Sequence, residues 1–257
     1  MVKGIGLFRD WFKDFTDCYT LIGGGACDLW MGERGLEFRA TGDLDIVLAF
    51  EGQRPDFVKH LWEFVKAGKY TGFQAGETPS NFYRFHKPRT VNFPAKLEIC
   101  ARRPLDTPAD LRVRRIPAGE DVSSLSAILL DPEYYDLVRS DGRFIEGVST
   151  ASGACLIPLK VKAWLNLSAS RAGGRPVDQK DIDKHRNDVF RLLLSLAPAD
   201  KLVLADTIRA DLRAFIDHLP PNSRDWSRIR AALGSNLLTL PPVDETIAAF
   251  KSLYLPA

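Results

Sequence analysis

Asp43 and Asp45, in the run Asp43-Leu-Asp45-Ile-Val-Leu, are the residues of this chain best placed to do chemistry. Side chains alternate faces along a β-strand, so two carboxylates one residue apart point the same way. Glu98, in Leu97-Glu98-Ile99, has a matching context, an acid between apolar residues of a short strand. If the two strands are neighbours, three carboxylates converge. Unit charges about 4 Å apart repel by roughly 4 kcal/mol at an effective dielectric near 20, so an ionised cluster of this kind needs a cation. Hard oxygen ligands select Mg2+ or Mn2+ over zinc. Two such ions, roughly 3.5–4 Å apart, would clamp the attacking and leaving oxygens of an in-line displacement. Upstream, Leu21-Ile-Gly23-Gly24-Gly25-Ala26 reads as a strand turning into a helix, whose free N–H groups suit triphosphate oxygens. Nucleotidyl transfer is the chemistry these parts suit together. Each part also has a plainer reading. A lone Asp-x-Asp is commonly a surface turn before a strand, a Gly-Gly-Gly is commonly only a turn, and a strand Glu is often an edge charge.

The elements that must position these residues follow from hydrophobic periodicity. Residues 7–17 have helical spacing, Tyr19–Ile22 reads as a strand, and a second helix runs from the glycines to about Gly32. A strand covers Leu44–Phe50, with Leu44, Ile46, Leu48 and Phe50 on one face and the two aspartates on the other. Pro55–Lys66 reads as a helix, and Asn81–His86 and Ala95–Ala101 as strands. The stretch 102–120, rich in Arg and Pro, reads as a loop with a short helix, and Ser124–Leu130 and Arg143–Ser149 as strands of a small insertion. From Pro158, placed in a first helical turn, the pattern is helical. Asp178 is set to cap a helix to about Leu196, with Ile182, Val189, Phe190 and Leu193 inward, and helices follow near 199–218, 224–235 and 243–253. The expected class is α+β, with a mixed α/β domain over residues 1–150 and a helical domain over 151–257.

Bulk properties set limits. The 257 residues suffice for one large domain or two small ones, and 45% hydrophobic with 26% charged residues is ordinary for a globular protein. A net charge of +2 is too small to argue for nucleic acid or membrane, so any RNA contact must come from a local patch. Arg102, Arg103, Arg112, Arg114 and Arg115 form one candidate, with a solvated loop as the equal alternative. Cys18, Cys27, Cys100 and Cys155 are dispersed and read as reduced thiols. No apolar run reaches the roughly 18 residues of a membrane span, and no signal-peptide core follows the N-terminus, so a cytoplasmic protein without membrane contact is expected.

Gly23-Gly24-Gly25-Ala26 followed by Arg39-x-Thr41-x-Asp43-x-Asp45 resembles the first motif of the polymerase-β-like nucleotidyltransferases, and in particular the AbiEii-type toxins of abortive-infection and toxin–antitoxin systems. That group usually carries a hydroxyl residue where this chain has Gly25. Leu97-Glu98-Ile99 resembles its third-carboxylate motif, with Glu in place of the more usual Asp. Lys160-Val-Lys162-Ala163-Trp164 and Lys180-Asp181-Ile-Asp183 resemble its later lysine and aspartate motifs, which cover the chain to about residue 196. The family's arginine after the lysine has no match in Asn166–Ala169, and Arg171 is the nearest substitute.

The resemblance implies a nucleotidyltransferase-type sheet with flanking helices and a C-terminal helical bundle. Asp43, Asp45 and Glu98 would be catalytic and metal-binding, with Mg2+ or Mn2+. Gly24, Gly25, Arg39, Thr41, Lys160 and Asp181 would bind the NTP, with Lys162 the rival of Lys160. It also implies an RNA acceptor such as a tRNA end, and a cognate antitoxin as protein partner. Two other readings stay open. One is a nucleotidyltransferase acting on a small molecule, as antibiotic-modifying enzymes do. The other is a protein that binds nucleotide or partner on this scaffold without turnover.

Overall fold

A computed structural model describes residues 2–49, 54–75, 82–103, 105–106, 114–115, 128–129, 131–234 and 238–256. The fold is mixed α/β. Contacts divide the chain into two compact units, Met1–Trp30 with Ala40–Asp121 and Val138–Ala151, and Met31–Arg39 with Val122–Leu137 and Ser152–Ala257.

The first unit is built on an eight-stranded sheet. Its strands are β1 (Tyr19–Ile22), β2 (Asp43–Leu48), β3 (Tyr70–Ala75), β4 (Phe82–Pro88), β5 (Lys96–Cys100), β6 (Arg114–Arg115), β7 (Gly142–Ile145) and β8 (Val148–Ala151). Their order in space is β6-β3-β4-β5-β2-β1-β8-β7. Central β2 runs antiparallel to β1 and parallel to β5. Four consecutive buried residues in β1 and five in β2 fit strands covered on both faces.

Aromatic packing fixes the first helices against this sheet. Helix α1 (Ile5–Trp11) is shorter than the expected 7–17 span, because the chain tightens into a 3-10 turn at Lys13–Phe15. Helix α2 (Gly23–Gly32) follows the glycine turn, and α3 (Pro55–Gly68) starts with proline in its first turn. Phe8, Phe12 and Tyr19 pack with Phe57 and Phe64 of α3, with ring centroids 4.6 Å apart for Phe8–Phe12 and 5.3 Å for Phe12–Phe64. All five are essentially sealed from solvent.

Some elements depart from the sequence expectation. Strand β3 was not anticipated, since Gly72 interrupts its apolar pattern. Helix α4 (Pro132–Ser140) lies where no element was read. Its start carries ordinary signals, with the Asp131 carboxylate accepting from the Glu133 amide at 3.0 Å and proline next in line. The expected strand at Arg143–Ser149 is the β7–β8 hairpin. The strand expected at Ser124–Leu130 lies largely outside the described residues, and Ile128 there is helical.

The second unit carries α5 (Gly153–Ala172), α6 (Gln179–Leu193), α7 (Asp206–Asp217), α8 (Asp225–Gly234) and α9 (Val243–Tyr254). Helix α5 packs on α6 and α7, α6 on α8, and α9 on α7. Asp178 caps α6 as expected, accepting from the Lys180 amide at 2.9 Å. Pro158 does not open its helix. Ser152 caps α5, and the proline sits in the second turn. Proline there leaves the carbonyl four residues earlier, that of Ala154, without its helical donor. The Tyr254 hydroxyl of α9 donates to it at 3.0 Å, so a long-range contact repairs the break. Among the described residues no helix is long and apolar enough to cross a membrane.

Candidate active site

Parallel pairing of β2 with β5 sets Asp45 directly across from Glu98 and Asp43 across from Lys96. With two-residue periodicity, Asp43, Asp45, Lys96 and Glu98 share one sheet face. Antiparallel β4 adds Arg84 opposite Glu98. Register thus sets Asp45 against Glu98 with Asp43 on the same face, and two cations accompany them.

The contacts are close. Arg84 Nε donates to Glu98 Oε1 at 2.5 Å. Lys96 Nζ lies 3.2 Å from Asp43 Oδ2 and 3.4 Å from Glu98 Oε1. Asp45 and Glu98 are buried, while Asp43 is partly open. Burial raises the Asp45 carboxyl well above the usual range, and the adjacent Glu98 charge raises it further. At Glu98 burial pulls the same way. The hydrogen bond with Asp45, then Lys96 and Arg84, outweighs it, so that carboxyl titrates below its usual range. Of the two, Asp45 is the carboxyl whose surroundings favour the neutral form.

The glycine turn abuts this cluster. Gly23 has φ +70°, and a Cβ there would collide with Asp45 Oδ2. A Cβ at Gly24 would lie 2.7 Å from Thr41 Oγ1. These two positions need glycine so that the helix N-terminus can approach the acidic strand closely. At Gly25, a Cβ would press on Leu44 Cδ2 at 3.1 Å, so little room exists where the family pattern has a hydroxyl residue.

A divalent ion can be tested against these donors. Among the described residues no three Asp, Glu, His or Cys side chains are grouped to enclose a metal. Yet the chemistry fits. The donors are hard carboxylate oxygens, and Asp45 Oδ1 is buried with no hydrogen-bond partner among the described residues. Lys96 holds Asp43 and Glu98, so a divalent ion on these carboxylates would have to displace its contacts.

The second unit has its own charged centre. Asp188 of α6 is fully buried, and Arg39 grips it with two hydrogen bonds, Nε to Oδ1 at 3.0 Å and Nη2 to Oδ2 at 2.8 Å. Lys160 Nζ lies 3.2 Å from Oδ2, and Arg191 Nη1 is 3.2 Å from Oδ1. Burial alone would raise the Asp188 carboxyl, but Lys160, Arg39 and Arg191 hold it well below the usual range. His185 on the same helix is pushed down to about 3, by burial first and then by the Lys160 charge.

Of the residues expected to contact nucleotide, Arg39 and Lys160 meet at Asp188. Asp181 does not join them, being exposed in the first turn of α6. Lys162 is partly exposed and pairs with Asp211 at 2.7 Å. Arg171 donates to the Val177 carbonyl at 3.4 Å. Arg102 and Arg103 are exposed, Arg114 and Arg115 lie in β6, and Arg112 is outside the described residues.

No family model matches this chain, and no match was found among curated proteins. The functional reading therefore rests on its own residues and on the motif resemblance.

Asp188 and Lys96 were not singled out by spacing. For Asp188 a signal exists: it lies at i+3 from His185 and i−4 from Leu192, on a stripe that is otherwise inward-facing. A carboxylate on such a stripe needs cationic partners.

Proposed function

We propose that this protein is a metal-dependent nucleotidyltransferase that moves a nucleoside monophosphate from an NTP to a hydroxyl acceptor and releases pyrophosphate. The observation that carries this reading is the Asp45–Glu98 register, with Asp43 on the same face and Gly23 against Asp45. It accords with a nucleotidyltransferase-type sheet followed by a helical domain. Asp43, Asp45 and Glu98 are the residues to hold Mg2+ or Mn2+, which when bound neutralise charge on the phosphates and lower the pKa of the attacking hydroxyl.

The chain's own parts have defined tasks in this reading. The first amides of α2 present N–H donors to phosphate oxygens. Gly23 and Gly24 permit their close approach to the carboxylates. Asp45 would hold a cation as the ionised carboxylate, the reverse of the neutral form that its burial favours. Arg84 orients Glu98. Thr41, Gly25, Arg39 and Lys160 are nucleotide contacts in this proposal by motif resemblance, and Asp188 orients Arg39 and Lys160.

By the same resemblance the acceptor is RNA, such as a tRNA end, and the protein is the toxin of a toxin–antitoxin or abortive-infection pair with an antitoxin partner. A cytoplasmic location belongs to this reading. The test is incubation of the full chain with each labelled NTP, Mg2+ and total RNA. Label is expected to enter RNA with wild type and not with a folded Asp45→Ala variant. Equal incorporation by that variant would falsify the assignment. Stimulation of pyrophosphate release by an aminoglycoside instead of RNA would favour the small-molecule enzyme, and NTP binding without product would favour the non-catalytic reading.

A further inference from the structure

The helical unit contains a cavity of about 600 Å³ between α5, α6 and α8, within the size range of small-ligand pockets. Trp164 and Ile182 give it an apolar wall, and Arg171, Arg186, Arg228 and Asp225 line its polar part. Counting Asp183, which pairs with Arg186 at 3.2 Å, three guanidinium groups meet two carboxylates and leave one positive charge in excess.

The three arginines are not equivalent. Arg186 is buried and held in place, with Nη1 2.9 Å from Asp225 and Nη2 3.2 Å from Asp183. Arg228 is mostly exposed and has one long contact, 3.5 Å, to Asp225. Arg171 is exposed and donates to a backbone carbonyl, without a carboxylate contact among those described for it. The excess charge is thus centred on Arg171, and Arg228 is held only by its long contact to Asp225. Two buried donors on the wall residues, Trp164 Nε1 and Arg186 Nε, have no hydrogen-bond partner among the described residues.

We propose that this cavity binds a small phosphorylated ligand. A phosphomonoester carries close to two negative charges at neutral pH, a strong anion for the exposed Arg171 and Arg228 at the rim of this cavity. Arginine forks suit the bidentate recognition of phosphate oxygens. The apolar wall beside them accepts the organic body of the ligand. This site lies wholly within the helical unit and does not depend on the carboxylates of β2 and β5.

Calorimetric titration of the full chain with inorganic phosphate, pyrophosphate and adenosine 5′-monophosphate tests it. The buffer contains a chelator, which silences metal-dependent nucleotide binding elsewhere. Saturable binding of at least one of these probes, one per chain, is expected. Arg171→Glu/Arg228→Glu is expected to weaken it at least ~10-fold at unchanged melting temperature, and Asp45→Ala to leave it intact. If the charge-reversed chain is unstable, Arg171→Gln/Arg228→Gln serves, with the same loss expected. Wild-type affinity in these variants, or no saturable binding of any probe by the wild-type chain, would overturn the proposal.

Discussion

Lys160 Nζ lies 3.2 Å from Asp188 Oδ2, and both side chains are sealed from solvent. Two more cations, Arg39 and Arg191, converge on the same carboxylate. Such a centre is asymmetric. Removing Asp188 strands several positive charges, whereas removing Lys160 leaves a carboxylate still held by two guanidinium groups.

Asp188→Ala is therefore expected to cost about 3–5 kcal/mol of folding stability, as when a buried pair loses one partner. Lys160→Met should cost less, about 1–3 kcal/mol, the value of a hydrogen bond to a charged group. Urea denaturation of both variants checks the order. Equal costs would mean that the Arg39 and Arg191 contacts do not share the charge.

His185 predicts a pH dependence. Its folded-state pKa, about 3, lies below the ordinary 6.5, so the folded imidazole stays neutral while the unfolded one takes up a proton. The associated stability is present above about pH 6.5 and is lost as pH falls toward 3. Asp188, whose carboxyl is held low, adds a loss in the same direction at still lower pH. His185→Gln should flatten the stability profile between pH 6.5 and 4, roughly the window in which the unfolded imidazole is the protonated form. An unchanged slope in that variant, followed by thermal melts, would remove His185 as the source.

The Tyr254–Ala154 hydrogen bond compensates Pro158. Tyr254→Phe should cost about 1–3 kcal/mol by orphaning a buried carbonyl. In a Pro158→Ala background the restored amide donates to the same oxygen, and the cost of Tyr254→Phe should shrink. A double-mutant cycle measures that coupling, and additive effects would argue against it.

Lys96 contacts both Asp43 and Glu98, at 3.2 and 3.4 Å. Within the proposed function, Lys96→Gln should lower the Mg2+ concentration giving half-maximal NTP turnover by ~5-fold, the equivalent of about 1 kcal/mol of ion pairing. A raised Mg2+ requirement would instead make Lys96 a substrate contact.

The sequence by itself determined much of this molecule. Two-residue alternation around Asp43, Asp45 and Glu98 fixed which face each carboxylate takes, because strand geometry leaves no other choice. The glycine turn, the proline start of α3 and the Asp178 cap were legible because each is a local backbone requirement met by one residue type. Strand β3 was not, since Gly72 erases the pattern on which strand recognition depends.

Only the tertiary structure decided the partners. That β2 and β5 pair in parallel with Asp45 opposite Glu98 is a long-range register, and so is the arrival of Lys96 and Arg84 at the same carboxylates. Arg39 and Asp188 are far apart in sequence, and no local signal joins them. Burial makes their ion pair necessary, and burial is a property of the packed chain. The same holds at Pro158, whose helix interior position is tolerable because Tyr254 supplies the donor that the local chain lacks.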